Sequence, residues 1–255
     1  MGRVIAIANQ KGGVGKTTTA INLSACLAER RKKVLVIDMD PQGNTSSGLG
    51  IDKNAVDQGI YEMLIADEDI KDCIHPTEIK RLKIIPSNIN LSGAEVELYG
   101  MDKREYRLKD KLDKVKRDYD FIIIDCPPSL SMLTINALTA SNSVIIPIQC
   151  EYYALEGLTQ IIYTVNLIKE RLNDKLKIEG IVFTMFDSRT NLSEQVVENV
   201  KANLDQNFYD TIIPRNIRLA EAPSFGKPIN LYDSRSTGAI AYRKLAKEVI
   251  KKGGK

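Results

Sequence analysis

The chain has 255 residues, of which 43% are hydrophobic, and its 36 Lys and Arg against 33 Asp and Glu give a formal net charge of +3. This length predicts one domain, residues 1–255, with a substantial core, and the near-neutral charge by itself indicates no class of partner. Because no apolar run approaches the roughly 20 residues of a bilayer-spanning helix, and a polar glycine-rich loop follows the N-terminus too early for a signal peptide, we expect a cytoplasmic protein without membrane contact.

Short β-branched segments alternate with amphipathic segments along the chain. The predicted strands are RVIAIA, KVLVID, LKIIPS, DFIIIDC, SVIIPIQ, IEGIVFT and DTIIPR. The clearest helical patterns cover residues 17–30, 103–116, 154–171 and 192–203. Nearly all-apolar strands are typical of a parallel sheet covered on both faces. The sequence therefore predicts an α/β fold with a doubly wound, mostly parallel sheet, and its loops after Ala8, Ile37, Ile124 and Ile148 should converge on a binding site.

The first strand runs into KGGVGKTT, and a predicted helix begins there. In this context glycines allow backbone N–H groups to surround phosphate oxygens, Lys16 would reach the β- and γ-phosphates, and Thr17 would hold Mg²⁺. The usual pattern G-x4-G-K-[ST] has glycine at position 10, where this chain has Gln10. The loop contains two lysines, Lys11 and Lys16, although a phosphate site ordinarily needs one.

Two further strands end in acidic residues. Asp125 follows an apolar strand and is predicted to be the Walker-B acid that holds Mg²⁺ directly or through water. Asp40 lies in a loop from which it can orient the attacking water, while Asp38 either joins the site or only hydrogen-bonds its own loop. The chain has no N-K-x-D motif after a late strand, so adenine is predicted over guanine, and the nucleotide is ATP.

The positive charge is concentrated near the C-terminus. From residue 213 to residue 255 there are ten Lys or Arg and three acidic residues, a net charge of +7. This distribution indicates either a surface for a polyanion or a solvated, lysine-rich last helix.

The motifs KGGVGKTT, DMDPQGN, DCPPSL, QCEYYALEGL, DSRTNLS and IPRNIRLAEAPSFGKPI together resemble the ParA/Soj partitioning ATPases, within the MinD/ParA group of deviant Walker A proteins. The resemblance extends from Asn9 to about Ile229. It implies a slow ATPase that dimerises with ATP, then binds double-stranded DNA non-specifically on the nucleoid, and is stimulated by a ParB/Spo0J-type protein during chromosome or plasmid segregation. Soj relatives can also interact with the replication initiator DnaA.

The resemblance also implies roles for individual residues. Lys11 is the signature lysine that enters the partner subunit's nucleotide site. The implied catalytic residues are Lys11, Lys16 and Asp40. Gly12 lies at the dimer seam, and Glu151 either pairs with the partner's Lys11 or is an ordinary surface glutamate. The implied nucleotide contacts are Lys11, Gly12, Gly13, Val14, Gly15, Lys16, Thr17, Thr18, Pro214 and Asn216, and the implied metal ligands are Thr17 and Asp125.

Arg189 and Arg218 resemble the DNA-binding arginines of the family. Further cations that could extend this surface are Lys227, Arg235, Lys247 and Lys251. No base-reading motif is evident, so the predicted binding is driven by phosphate contacts.

Two other classes of protein have the same phosphate-binding loop and are alternatives for this chain. A MinD-like membrane switch would need an amphipathic C-terminal helix with bulky apolar residues, whereas the ending YRKLAKEVIKKGGK has spacing more typical of a helix that faces a core. An iron–sulfur ATPase would need thiolates in a defined arrangement, and although Cys126 adjoins Asp125, the chain has no CxxC pair.

Overall fold

The computed structural model describes residues 2–252. The strands are β1 (Arg3–Ile7), β2 (Val34–Asp38), β3 (His75–Pro76), β4 (Leu82–Ile85), β5 (Phe121–Asp125), β6 (Ser143–Gln149) and β7 (Lys177–Thr184). The helices are α1 (Lys16–Glu29), α2 (Asn44–Gly48), α3 (Ile60–Leu64), α4 (Leu91–Tyr99), α5 (Arg107–Leu112), α6 (Met132–Ala140), α7 (Ala154–Arg171), α8 (Asn191–Asn203), α9 (Ile217–Glu221), the 3-10 helix η1 (Ala222–Phe225), α10 (Ile229–Tyr232) and α11 (Thr237–Lys252).

The seven strands form one sheet in the order β3-β4-β2-β5-β1-β6-β7. Neighbouring strands are parallel except for β3, which is antiparallel to β4. In the ladder, both Ile7 of β1 and Asp38 of β2 lie beside Asp125 of β5. The carboxyl ends of these three strands are therefore level, and the loops that follow them open at one edge of the sheet.

Alternate residues of each strand point to opposite faces of the sheet, and helices cover both faces. In β1, Val4 and Ala6 belong to a core that also contains residues of α3 to α8. Ile5 and Ile7 belong to a second core, with α1, α9, α10 and α11. This arrangement confirms the predicted doubly wound α/β fold.

Six of the seven predicted strands form, but DTIIPR does not. Among the described residues, this segment makes a single isolated bridge, between Pro214 and Phe186, which lies just beyond the end of β7. The backbone N–H groups of Asp210 and Thr211 donate instead to the Glu248 carboxylate of α11, at 2.9 and 3.0 Å. The segment still donates single bonds to β7 and to Phe186 just beyond it, from the Ile213 N–H to the Phe183 carbonyl oxygen (2.8 Å) and from the Arg215 N–H to the Phe186 carbonyl oxygen (2.9 Å). The Thr211 N–H goes to Glu248 instead, so the ladder is interrupted.

The helices predicted at 17–30, 154–171 and 192–203 form within one residue of those bounds, but the one predicted at 103–116 is reduced to α5. Lys103 has φ 51°, a left-handed conformation that cannot belong to a right-handed helix. The last helix, α11, buries Tyr242, Leu245 and Val249, as its spacing predicts. Within residues 2–252, none of the helices is both long enough and apolar enough to cross a bilayer.

Candidate functional site

The loop between β1 and α1 has the shape of a phosphate cradle. Gly13 and Gly15 have φ 74° and 88°, in the left-handed region that favours glycine. Gly15 is also the N-cap of α1, and because it has no side chain, the first N–H groups of the helix remain free for an anion. A Cβ added at Gly12 or Gly13 would meet nothing within 4 Å among the described residues. The loop is therefore open where a phosphate chain would enter.

The start of the loop is anchored to neighbouring elements. Asn9 donates from Nδ2 to the carbonyl oxygen of Pro147 in β6 (2.8 Å) and accepts from the Lys11 N–H (3.0 Å). Gln10 donates from Nε2 to Oγ1 of the buried Thr164 in α7, at 2.9 Å. The residue that replaces the usual glycine thus ties the loop to α7, a contact that the sequence gives no means to predict.

The two lysines point to different partners. Lys16 is buried, and its Nζ donates to the carbonyl oxygen of Lys11 at 2.8 Å, across the cradle. Burial lowers the pKa of Lys16, and nearby carboxylates, Asp125 first, oppose this shift. Lys11 Nζ pairs with the carboxylate of Glu151 and lies 6.0 Å from the centre of the Tyr153 ring, both in the same chain. The two alternatives for Glu151 are a pair with the partner's Lys11 and an ordinary surface glutamate, whereas here it pairs with Lys11 of its own chain.

Asp125 lies fully buried at the end of β5. Its Oδ2 accepts from the hydroxyls of Thr17 (2.8 Å) and Thr45 (2.7 Å), and its Oδ1 has no hydrogen-bond partner among the residues that the structure describes. Burial, reinforced by the neighbouring Asp38, raises the pKa of Asp125 well above its ordinary value. A buried carboxylate with a free oxygen is costly without a cation.

Mg²⁺ prefers oxygen ligands and usually keeps several waters and phosphate oxygens. The hydroxyl of Thr17 and the free oxygen of Asp125 supply that chemistry. No group of three or more His, Cys, Asp or Glu suited to a metal ion occurs within residues 2–252. The residues present therefore fit a cation that is held by few protein ligands and is completed by phosphate and water.

Asp38 and Asp40 have different surroundings. Asp38 is fully buried; its Oδ2 accepts from the N–H (2.8 Å) and hydroxyl (2.7 Å) of Ser46, and its Oδ1 accepts from the Asp40 N–H (3.2 Å). Burial raises its pKa despite these bonds. The carboxylate of Asp40 accepts only from the Gln42 N–H, at 2.9 Å, among the described residues. This geometry favours the alternative in which Asp38 only hydrogen-bonds its own loop. It leaves a carboxylate oxygen of Asp40 available.

A cavity of about 380 Å³ adjoins the cradle. It brings together Gly15, Thr18, Pro214 and Asn216, four of the residues implied to contact nucleotide, and it also includes Met185, which sequence reasoning missed. Asn216 caps α9 by accepting from the Arg218 N–H (2.8 Å) and donates to the Thr237 hydroxyl (2.7 Å). Its amide is therefore held in place, and the mostly apolar cavity suits a planar base.

The two arginines implied to bind DNA are exposed but paired. Arg189 is 82% exposed and makes two bonds to Asp187, at 2.8 and 2.7 Å, which hold the pKa of Asp187 well below its usual range. Arg218 is 51% exposed and lies 2.9 Å from Glu221. Any phosphate would compete with these carboxylates.

The remaining sequence features are the four cysteines, of which Cys126 adjoins Asp125, and the basic C-terminal residues. The four cysteines are free and buried. Among the C-terminal cations, Lys247 and Lys251 are exposed on α11, whereas Lys255 lies outside the described residues.

A phosphate cradle between a strand and a helix, with a buried acid at the end of a neighbouring parallel strand, defines a P-loop nucleoside triphosphatase. A model of the AAA domain family matches residues 2–178. The sporulation initiation inhibitor protein Soj of Bacillus subtilis is 59% identical over 253 residues, covering 99% of this chain and 100% of that protein. The chromosome partitioning protein ParA of Myxococcus xanthus is 55% identical over 252 residues, covering 99% and 89%. The chain belongs to the Soj/ParA family of chromosome-partitioning ATPases.

Solved structures share the fold. Cobyrinic acid a,c-diamide synthase from Mycobacterium smegmatis, with bound ADP and magnesium, has a TM-score of 0.89 at 38% identity and covers 100% of this chain and 97% of its own. The septum site-determining protein MinD of Pyrococcus horikoshii, complexed with Mg-ADP, has a TM-score of 0.82 at 28% identity and covers 100% and 98%.

Proposed function

We propose that this partitioning ATPase is an ATP-dependent dimerising switch. In its ATP-bound dimer it binds double-stranded DNA without sequence preference on the nucleoid, and a ParB/Spo0J-type protein stimulates a slow hydrolysis that releases it. The observation that carries the proposal is the phosphate loop with one lysine inside the cradle, Lys16, and a second, Lys11, beside the open glycines. The cargo is a chromosome or a plasmid.

The chain's own residues suit Mg²⁺-ATP. Lys16 would exchange the carbonyl of Lys11 for phosphate oxygens, while the N–H groups of residues 12–18 surround the phosphate chain. Thr17 and Asp125 would hold Mg²⁺, which neutralises charge that develops on the phosphates. Pro214 and Asn216 would flank the adenine, because both line the cavity beside the cradle.

Dimerisation would place Lys11 of each subunit at the nucleotide of the other, where a cation stabilises the charge that builds up during hydrolysis. A Cβ added at Gly12 meets nothing within 4 Å among the described residues, so a side chain there fits the monomer, and a defect in the variant would arise at the dimer seam. We expect Gly12→Val to bind ATP normally but to stay monomeric in size-exclusion chromatography with ATP. A variant that dimerises like the wild type would contradict the placement of Gly12 at the dimer seam.

Hydrolysis requires a group that orients the attacking water. Asp40 suits this role, because one of its oxygens is fixed by the Gln42 N–H and the side chain lies in the loop between β2 and α2. Asp40→Ala is expected to dimerise with ATP and to hydrolyse it at least tenfold more slowly, an order of magnitude typical of losing such a group.

DNA binding would use Arg189 and Arg218, whose exposed guanidinium groups can reach phosphates. A single subunit presents few cations, and a dimer aligns two such surfaces on one duplex, so binding becomes tight only when ATP holds the dimer together. Charge reversal at Arg189 or Arg218 should abolish DNA binding while ATP-dependent dimerisation persists. Loss of dimerisation would show that these arginines lie at the seam.

The deciding experiment measures binding to random-sequence duplex DNA with ATP, with ADP and without nucleotide, over a range of salt concentrations. Asp40→Ala holds the ATP state during the measurement. Tight, salt-sensitive binding that needs ATP would support the switch. Absence of binding in every nucleotide state, with dimerisation intact, would refute the DNA-binding part of the proposal.

A further inference from the structure

Thr45 lies at the base of the candidate metal site, although no sequence motif drew attention to it. It is fully buried in the first turn of α2, and its Oγ1 donates to Oδ2 of Asp125 at 2.7 Å. The same oxygen accepts from Thr17 of α1, at 2.8 Å. The carboxylate is therefore held by two hydroxyls from two different helices.

The two bonds decide which oxygen of Asp125 is available. Each hydroxyl has one proton, and both protons are donated to Oδ2, while Oδ1 stays without a partner among the described residues. Thr17 keeps its lone pairs for a cation, and Oδ1 can accept from a water bound to that cation. Without Thr45, the carboxylate would be fixed by one bond only and could rotate about its Cβ–Cγ bond.

We propose that Thr45 is a positioning residue for the metal site: it fixes Asp125 with Oδ1 toward the cation and thereby links α2 to the metal-bound state. The inference rests on the proposed Mg²⁺-dependent nucleotide binding. Because α2 follows the loop that carries Asp40, the contact also joins the metal site to the residue that orients water.

The position of α2 does not depend on Thr45 alone. Ser46 binds Asp38 through its N–H and its hydroxyl, at 2.8 and 2.7 Å, and its Oγ accepts from the Ser87 N–H at 2.9 Å. Removing the Thr45 hydroxyl should therefore leave α2 in place and change mainly the freedom of the Asp125 carboxylate.

The test compares Thr45→Val, which keeps the shape and removes the hydroxyl, with Thr45→Ser, which keeps the hydroxyl. Thr19→Val is the matched control, because Thr19 is an equally buried threonine whose hydroxyl lies 3.2 Å from Tyr242 and not at Asp125. The readout is binding of a fluorescent ADP analogue, titrated with Mg²⁺ and repeated in EDTA. Thermal unfolding shows that each variant is folded.

For Thr45→Val we expect the Mg²⁺ concentration at half-maximal tight binding to rise roughly 10- to 150-fold, the effect of losing one hydrogen bond to a charged group. Nucleotide affinity in EDTA should stay within about twofold. Thr45→Ser should stay close to the wild type, and Thr19→Val should show no shift in its Mg²⁺ dependence. Thr45→Ala, which also lacks the hydroxyl, serves if Thr45→Val does not fold, and should shift in the same direction.

The outcomes distinguish failure of the role proposed for Thr45 from failure of the proposed function. If the wild type binds the analogue with a clear Mg²⁺ dependence and Thr45→Val has the same dependence, the role of Thr45 is refuted while the proposed function stands. An equal shift in Thr45→Ser would also refute it, since the hydroxyl would then be irrelevant. If the wild type shows no Mg²⁺ dependence, the proposed function itself fails.

Discussion

Replacing Glu151 by Gln tests how the second lysine of the phosphate loop is controlled. In the structure Lys11 is paired with Glu151 of its own chain, so a lysine that is to reach the nucleotide of another subunit must first leave this carboxylate. Glu151→Gln removes the charge with little change of shape. If Lys11 acts on the partner's nucleotide, the variant should dimerise at a lower protein concentration in ATP than the wild type.

The size of the effect follows from the exposure of the pair. The side chains of Lys11 and Glu151 are 37% and 33% exposed, so water screens their attraction, and the ion pair is worth about 0.5–1 kcal/mol. This corresponds to a factor of about 2–5 in an equilibrium constant for each subunit. Two subunits lose the pair when a dimer forms, so the dimer dissociation constant should fall about 4- to 25-fold.

Sedimentation equilibrium with a slowly hydrolysed ATP analogue gives the dimer dissociation constant directly. The control is Glu156→Gln, which removes an exposed carboxylate from the first turn of α7, outside the ion pairs found among residues 2–252. It should change the constant by less than about twofold. If Glu151→Gln weakens the dimer, the carboxylate stabilises the closed state by pairing with the partner's Lys11, and the argument for intramolecular restraint is wrong.

Three further predictions concern stability and DNA. Burial raises the pKa of Asp125, so between a pH of about 4 and that raised pKa the folded metal-free protein holds a proton that the unfolded chain releases. The contribution of Asp125 to the free energy of unfolding therefore falls as pH rises through this range. Asp125→Asn in EDTA should therefore gain melting temperature over the wild type at pH 8 and gain less at pH 5. Gly180→Ala should destabilise the fold by about 1–3 kcal/mol in denaturant unfolding, since the new Cβ would lie 2.8 Å from a buried aromatic ring. The matched change Gly157→Ala, in an open part of α7, should stabilise by about 0.5–1 kcal/mol, and equal effects would refute the packing argument. Asp187→Asn should free Arg189 and tighten ATP-dependent DNA binding about two- to fivefold in filter binding, whereas weaker binding would show that Asp187 positions the arginine.

The sequence by itself determined the features that depend on neighbouring residues. A strand, a glycine-rich loop and a helix that starts at Lys16 are adjacent in the chain, and so their geometry follows from local backbone preferences. Alternating apolar segments predicted the parallel sheet, and the acids after two strands predicted where the site lies, because parallel strands end at one edge.

Tertiary structure decided which distant side chains meet. Thr45 lies 80 residues from Asp125, and Lys11 lies 140 residues from Glu151, and neither contact has a local signature. The convergence of the loops after β1 and β6 was predictable, but the direction of each side chain was not, because it depends on packing against elements elsewhere in the chain. The segment DTIIPR has the composition of a strand, yet Glu248 of α11 accepts the N–H groups of Asp210 and Thr211, and only single backbone bonds join the rest of the segment to its neighbour. Local sequence preference indicated which segments could form strands or helices. Competition between distant segments for hydrogen-bond partners decided which of them did.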